Sequence, residues 1–300
     1  MDTTDVALIQ LLLVNSRLPY AELARKLGLS VNAVHKRIQN LMETGVIRKF
    51  TAKIGALAAN FVPVFVSGTS QLSTVQGVPD RLKSQGSIYW LAVGGGKYLY
   101  VGAYLKNINE LEPLVSFLKK EAGIAEPTVG IMAVPPSMYP ANLKFLDTSL
   151  CDLDYRIVNS LKDDARKPVS SIAEELGVSS KTVRRRLTRM MKNWLIELSV
   201  EWYPDASNDI ITLFELHLQP SVDISEAYKI FKKYSPRVLF YWSFANIPNT
   251  ATFAVWTNSM KELQSLRESI EKEEGVFSIT PNILYAGYIF STWRNQAIDK

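Results

Sequence analysis

Leu27-Gly28-Leu29-Ser30-Val31-Asn32-Ala33-Val34-His35-Lys36-Arg37 and Leu176-Gly177-Val178-Ser179-Ser180-Lys181-Thr182-Val183-Arg184-Arg185-Arg186 stand 149 positions apart in one chain. Each stretch reads as the end of one helix and the start of another. Residues 20–27 carry a helical pattern with Leu23, Ala24 and Leu27 facing inward, and Pro19 suits its first turn. Gly28 falls where a left-handed C-cap is wanted, and Ser30 is a good N-cap for a helix over 31–43. Val34, Ile38 and Leu41 mark that helix's buried face, and Gly45 stops it. A short helix at 5–14 precedes, and Val46–Ala52 reads as a short strand, a candidate wing carrying Arg48 and Lys49. The second copy repeats these signals through helix 154–162, Pro168, helix 169–176, Gly177, Ser179 and the buried set Val183, Leu187 and Met190. Helix, glycine turn and capped helix make a helix-turn-helix, present twice.

The repeat extends over the chain. At the 149-residue offset Asp5 meets Asp154, Pro19 meets Pro168 and Arg37 meets Arg186, without a gap from Asp5 through Ile47. At an offset of 152, Lys120-Glu121 meets Lys272-Glu273 and Gly123 meets Gly275. From Phe61 the hydrophobic period changes to that of strands. Strands are expected at 61–68, 87–93, 98–105 and 128–134, with helices around 78–85 and 108–122. The second copy follows with strands at 210–218, 237–245, 250–257 and 278–289 and helices at 223–234 and 259–273. The order βαββαβ is ferredoxin-like. The expected class is therefore α+β: two tandem repeats, each a winged helix-turn-helix followed by a ferredoxin-like βαββαβ module. The expected domains are helix-turn-helix modules at 1–54 and 152–204, βαββαβ modules at 60–135 and 209–292, and a linker at 136–151 in a three-proline stretch.

The chain has 300 residues and a net charge of +5, and the excess is not uniform. Residues 2–54 carry eight Lys/Arg against four Asp/Glu, residues 152–204 ten against eight, and the remainder sixteen against seventeen. Positive charge gathers in the helix-turn-helix modules, as expected where a polyanion binds. Lys181, Arg184, Arg185, Arg186, Arg189 and Lys192 sit on 181–192 with no acid among them, beside Thr182. Such a helix repels itself unless phosphates or guanine edges neutralise it; the alternative is a solvated cationic face. The corresponding face of the first copy, Asn32, Ala33, His35, Lys36, Gln39 and Asn40, offers amides suited to adenine and few charges. Arg37 and Arg186 read equally as ion pairs to a preceding helix or as phosphate ligands. The DNA-contact set expected is Asn32, His35, Lys36, Gln39, Arg48, Lys49, Lys181, Thr182, Arg184, Arg185 and Arg189.

Cys151 is the only cysteine, so neither an intrachain disulfide nor a cysteine metal site is available. No cofactor or metal is expected. No window approaches the roughly 18 apolar residues of a membrane span, and Met-Asp-Thr-Thr-Asp lacks the marks of a signal peptide. A cytoplasmic chain with no membrane partner is expected. Gly94-Gly95-Gly96-Lys97 joins two strands, precedes no helix and fits no nucleotide-binding pattern, so it reads as a hairpin turn.

Asp5, Ile9, Leu12, Arg17, Leu23-Ala24, Leu27-Gly28-Leu29-Ser30, Val34, Arg37, Leu41 and Gly45-Val46-Ile47 resemble the helix-turn-helix of the leucine-responsive/asparagine-synthase (Lrp/AsnC) family of transcriptional regulators. The resemblance covers nearly the whole chain, twice. It implies a non-enzymatic regulator that binds double-stranded DNA, with room for modulation by a small molecule such as an amino acid. It places such an effector near Gly94, Gly95, Gly96 and Lys97, a turn the second copy replaces with Ala245-Asn246-Ile247-Pro248-Asn249. Family members carry one copy per chain and pair through their sheets. Here the two copies are expected to pair within the chain, reading an imperfect palindrome because their helices differ, with room for further homo-oligomers through exposed βαββαβ sheets. Sirohaem decarboxylases resemble the same architecture, and an enzyme of that kind or an interaction scaffold is the alternative. The histidine–asparagine–tyrosine run marking those enzymes is missing from Val238-Leu239-Phe240-Tyr241-Trp242 and from Ile88-Tyr89-Trp90-Leu91.

Overall fold

The structure is a computed structural model that describes residues 1–133, 149–203 and 206–296. Val134 and Pro135 at the end of the first expected βαββαβ module, residues 136–148 of the expected linker, and Pro204 at the end of the second expected helix-turn-helix domain lie outside the described residues. The first repeat runs α1 (Thr3–Val14), α2 (Tyr20–Leu27), α3 (Val31–Glu43), β1 (Ile47–Ile54), the short α4 (Ala56–Ala59), β2 (Val62–Thr69), α5 (Val78–Leu82), β3 (Ile88–Gly94), β4 (Tyr98–Leu105), α6 (Leu111–Ala122) and β5 (Thr128–Ala133). The second runs α7 (Asp152–Leu161), α8 (Val169–Leu176), α9 (Ser180–Lys192), β6 (Ile196–Trp202), β7 (Ile210–Leu218), α10 (Ser225–Lys233), β8 (Val238–Phe244), β9 (Thr250–Thr257), α11 (Met260–Glu271), β10 (Val276–Ile289) and the short α12 (Trp293–Gln296). Among the described residues no helix is long and apolar enough to cross a membrane.

Two compact units emerge, and they do not follow the repeats. One gathers both helix-turn-helix copies (Thr4–Asn60, Asn142–Ala206, Trp293–Lys300), and the other gathers both βαββαβ modules (Met1–Thr3, Phe61–Ala141, Ser207–Thr292).

In the first unit the two wing strands pair with each other. β1 runs antiparallel to β6, with Phe50 opposite Val200 and Ile54 opposite Ile196. A lone strand leaves its backbone donors and acceptors unmatched, and the equivalent strand of the other copy supplies the partner. The contacts beside this ribbon recur in reverse. Ser16 donates its backbone N–H to Leu198 at 2.9 Å, and Ala165 donates to Phe50 at 3.1 Å. Arg17 reaches the carbonyls of Ala165 (2.7 Å) and Lys167 (3.0 Å), while Arg166 reaches that of Leu18 (3.1 Å). Arg17 and Arg166 are equivalent in the repeat, so the exchange marks a pseudo-two-fold relation between the copies. Burial pulls both guanidinium pKa values down. The Arg294 side chain, 1% exposed, ties α12 to this ribbon through the Ile54 carbonyl and Glu197.

In the second unit each module forms a four-stranded antiparallel sheet in the ferredoxin-like order. The two sheets join at both edges, giving the closed order β10-β3-β4-β2-β5-β8-β9-β7. Alternation then splits the side chains between two faces. Val64, Val66, Leu91, Leu99 and Val101 pack against Leu114 and Leu118 of α6, and Phe214, Leu216, Phe253 and Val255 pack against Leu263 and Leu266 of α11. On the other face Phe65 lies 5.9 Å from Trp90 and 5.4 Å from Trp242, and the two tryptophans stack at 6.0 Å.

Candidate nucleic-acid interface

The second helices of the two helix-turn-helix copies, α3 and α9, are built by local chemistry that recurs in both. Gly28 and Gly177 end α2 and α8 at φ values of 66°, a left-handed conformation that costs glycine nothing. The Ser30 hydroxyl accepts the Ala33 N–H at 3.1 Å, and Ser179 accepts that of Thr182 at 3.1 Å, so α3 and α9 begin capped. Val34, Ile38 and Leu41 are buried, as are Val183, Leu187 and Met190. Burial on one stripe leaves the opposite face of each helix in solvent.

On α3 that exposed face holds Asn32, His35, Lys36, Gln39 and Asn40. His35 stands edge-on to Tyr20 at 5.5 Å, and Gln39 donates to Glu43 at 2.9 Å. On α9 it holds Lys181, Arg184, Arg185 and Lys192, all exposed. Among the described residues, Lys181, Arg184 and Arg185 have no ion-pair partner. Thr182 is half-buried beside the Ser179 hydroxyl, at 2.9 Å, and serves the cap.

The remaining cations of these helices are held from within. Arg37 meets Asp5 at 2.6 Å, and its equivalent Arg186 meets Asp154 at 3.2 Å. The ion-pair reading of these two arginines thus describes the structure. Asp154 is fully buried and takes a second guanidinium, Arg189, at 2.8 Å. Arg189 also donates to the Ser149 carbonyl. The structure therefore separates Arg189 from the outward Arg184 and Arg185, a division that charge counting along 181–192 missed. An acid recurs 32 residues before Arg37 and before Arg186, a signal for those two pairs, but no such recurrence marks Arg189, whose place the first copy gives to Asn40.

The wing residues are likewise engaged. Arg48 lies over the Tyr203 ring, 3.4 Å from its centroid. Lys49 sits between Asp163 (2.8 Å) and Glu201 (3.3 Å). Burial lowers the Lys49 pKa, but the two carboxylates outweigh it and hold the ammonium above its ordinary value.

The Gly94-Gly95-Gly96-Lys97 turn lies in the other unit. Its Gly95 N–H is taken by the Asn282 side chain at 2.7 Å, and the Lys97 ammonium by the Leu72 carbonyl at 2.8 Å. Gly96 takes a φ of 66° and Lys97 one of 60°. Histidine chemistry is sparse: His217, on β7, lies 3.3 Å from Glu215 and 3.3 Å from the Thr250 hydroxyl. No group of three or more His, Cys, Asp or Glu suited to a metal occurs among the described residues.

This geometry defines a duplicated helix-turn-helix protein with paired βαββαβ modules. A family model for winged helix-turn-helix DNA-binding matches residues 1–48, and one for the AsnC-type helix-turn-helix domain matches residues 151–191. An uncharacterised helix-turn-helix-type transcriptional regulator of Pyrococcus furiosus is 32% identical over 124 residues, 40% of this chain and 84% of the relative. The regulator LrpA of Pyrococcus horikoshii is 25% identical over 145 residues, 48% of this chain and 99% of that one. A crystal structure of the sirohaem decarboxylase NirDL matches with a TM-score of 0.62 at 13% identity, covering 99% of this chain and 97% of the other. That likeness concerns the fold alone. The chain belongs to the Lrp/AsnC family.

Proposed function

We propose that this DNA-binding transcriptional regulator reads a site made of two unlike half-sites, one for each recognition helix. The observation that carries the reading is the contrast between the two exposed helix faces within one pseudo-symmetric unit. α9 offers three cations without an ion-pair partner, Lys181, Arg184 and Arg185, whereas α3 offers Asn32, Gln39 and Asn40 around a single Lys36. Arginine pairs with guanine O6 and N7, and amide side chains pair with adenine N6 and N7. A guanine-containing half-site for α9 and an adenine-containing one for α3 follow. His35, Lys36 and Lys181 are exposed on these helices and suit phosphate contacts, as do Thr182 at the start of α9 and the exposed Arg48 of the wing ribbon. Lys49 and Arg189, each held by carboxylates, support the elements that carry the readers.

An enzyme on the same fold is the second reading, favoured by the whole-chain likeness to a sirohaem decarboxylase. Fold alone does not assign chemistry, and the sequence similarity runs to transcriptional regulators. The Gly94–Lys97 turn supports an effector site less than the sequence suggests, because Asn282 already occupies its Gly95 N–H. Selection of bound duplexes from a random pool tests the proposal. Enriched sites with two different halves are expected, and strictly palindromic sites would overturn it.

A further inference from the structure

The two βαββαβ modules meet along two seams, β3 with β10 and β8 with β5. Duplication alone would make these seams identical. They differ in length and, most consequentially, where the turn ends of β3 and β8 meet the facing strands. Gly94 ends β3 opposite Leu284, as Phe244 ends β8 opposite Met132. The strands that face them carry Asn282 on β10 and Gly130 on β5, which correspond at the 152-residue offset. One seam thus combines glycine with asparagine, and the other phenylalanine with glycine.

Each combination is sterically matched, and the mixed ones are not. A Cβ at Gly94 would stand 2.6 Å from the Asn282 side-chain oxygen, and a Cβ at Gly130 would stand 2.3 Å from the Phe244 ring. Both are distances that real side chains do not adopt. The hydrogen bonds follow the same exchange. In the first seam the strand supplies the asparagine, with Asn282 accepting the Gly95 N–H at 2.7 Å. In the second the turn supplies it: Asn246 accepts the Ile131 N–H at 2.7 Å and donates to the Val129 carbonyl at 2.8 Å, on either side of Gly130. The Phe244 ring lies over the space left by Gly130 and packs 5.8 Å from Phe65.

We infer that these seams are keyed, so that the edges of each βαββαβ module fit the unlike module and reject a second copy of itself. Two second modules would set Phe244 against Asn282 at both seams. Two first modules would set Gly94 against Gly130, leaving a gap and an unmatched Gly95 N–H. Only one module of each kind closes the eight-stranded sheet. The inference stands on the seams and does not depend on what the protein binds.

Single and double substitutions in the full chain test it. Gly130→Asn and Gly94→Phe each build the forbidden phenylalanine–asparagine combination in one seam. Adding Phe244→Gly to the first, or Asn282→Gly to the second, rebuilds the combination found in the opposite seam. Thermal unfolding is expected to show each single variant losing more than about 5 °C of midpoint, with each double variant recovering at least half of that loss. Single variants that unfold like the parent would overturn the inference. So would double variants no more stable than the summed losses of their component substitutions.

Discussion

Replacing Arg184 and Arg185 with alanine should weaken DNA binding without weakening the fold, and the structure fixes how much of each. The outward cations of the two recognition helices are Lys36, Lys181, Arg184, Arg185 and Lys192. If all of them neutralise phosphates, log affinity falls with log salt at a slope of about −4.5, each contact contributing about −0.9. Removing two should make the slope shallower by about 1.8. If either arginine reads guanine instead, the slope changes less and discrimination at that base pair falls by about 1–3 kcal/mol. Neither side chain has an ion-pair partner among the described residues, so stability should shift by no more than about 0.5 kcal/mol. Arg186→Ala provides the contrast. It leaves the buried Asp154 with one guanidinium fewer, and the lost charge-assisted hydrogen bonds should lower stability by about 1–3 kcal/mol. Fluorescence anisotropy over a salt series, with thermal unfolding of the same preparations, measures both quantities. An unchanged slope and unchanged base preference in the double variant would refute the division between free and held arginines. So would a double variant less stable than Arg186→Ala.

The left-handed turns give a second expectation: Gly28→Ala and Gly177→Ala meet nothing within 4 Å at the added carbon, so each should lose only the backbone term, about 1–2 kcal/mol by thermal unfolding. A third concerns acid. The Lys233 ammonium and the Tyr234 hydroxyl hold the Glu273 carboxyl below its ordinary value of 4.5, so its stabilisation is complete above that pH and is lost as pH falls through the lower, folded value. Denaturant titrations between about pH 5 and 3 should show the parent losing more stability than Glu273→Gln.

Where structure depends on neighbours in sequence, the chain was legible. The caps at Ser30 and Ser179, the glycines at 28 and 177, and the strands at 98–105, 210–218 and 250–257 follow from local pattern, and the structure places them there. The helix expected at 108–122 begins as a single tighter turn at Ile108–Glu110 before α6. Long-range partnership was not legible. β1 and β6 each read as the wing of their own helix-turn-helix, yet each finds its backbone partner in the other copy. Nothing in a strand's own alternation names the strand beside it. Arg189 belonged by spacing with the outward cations, but Asp154, 35 residues away, takes it inward. The glycine turn read as a hairpin, and only the family resemblance placed an effector there; Asn282, 187 residues from Gly95, takes the Gly95 N–H and lies against Gly94. The short α4 and α12 carry too few residues for a period to register.

Two helices in one pseudo-symmetric unit that read different sequences should bind a site with unlike halves better than either half doubled. The decisive measurement is the affinity of the protein for three duplexes: the selected site, and two palindromes built by doubling each of its halves. Tightest binding to the selected site is expected, with each doubled palindrome weaker. Arg184→Ala with Arg185→Ala should lower binding to the doubled guanine-rich half more than to the doubled adenine-rich half. Equal affinity for all three duplexes, or a loss shared equally between the palindromes, would contradict this.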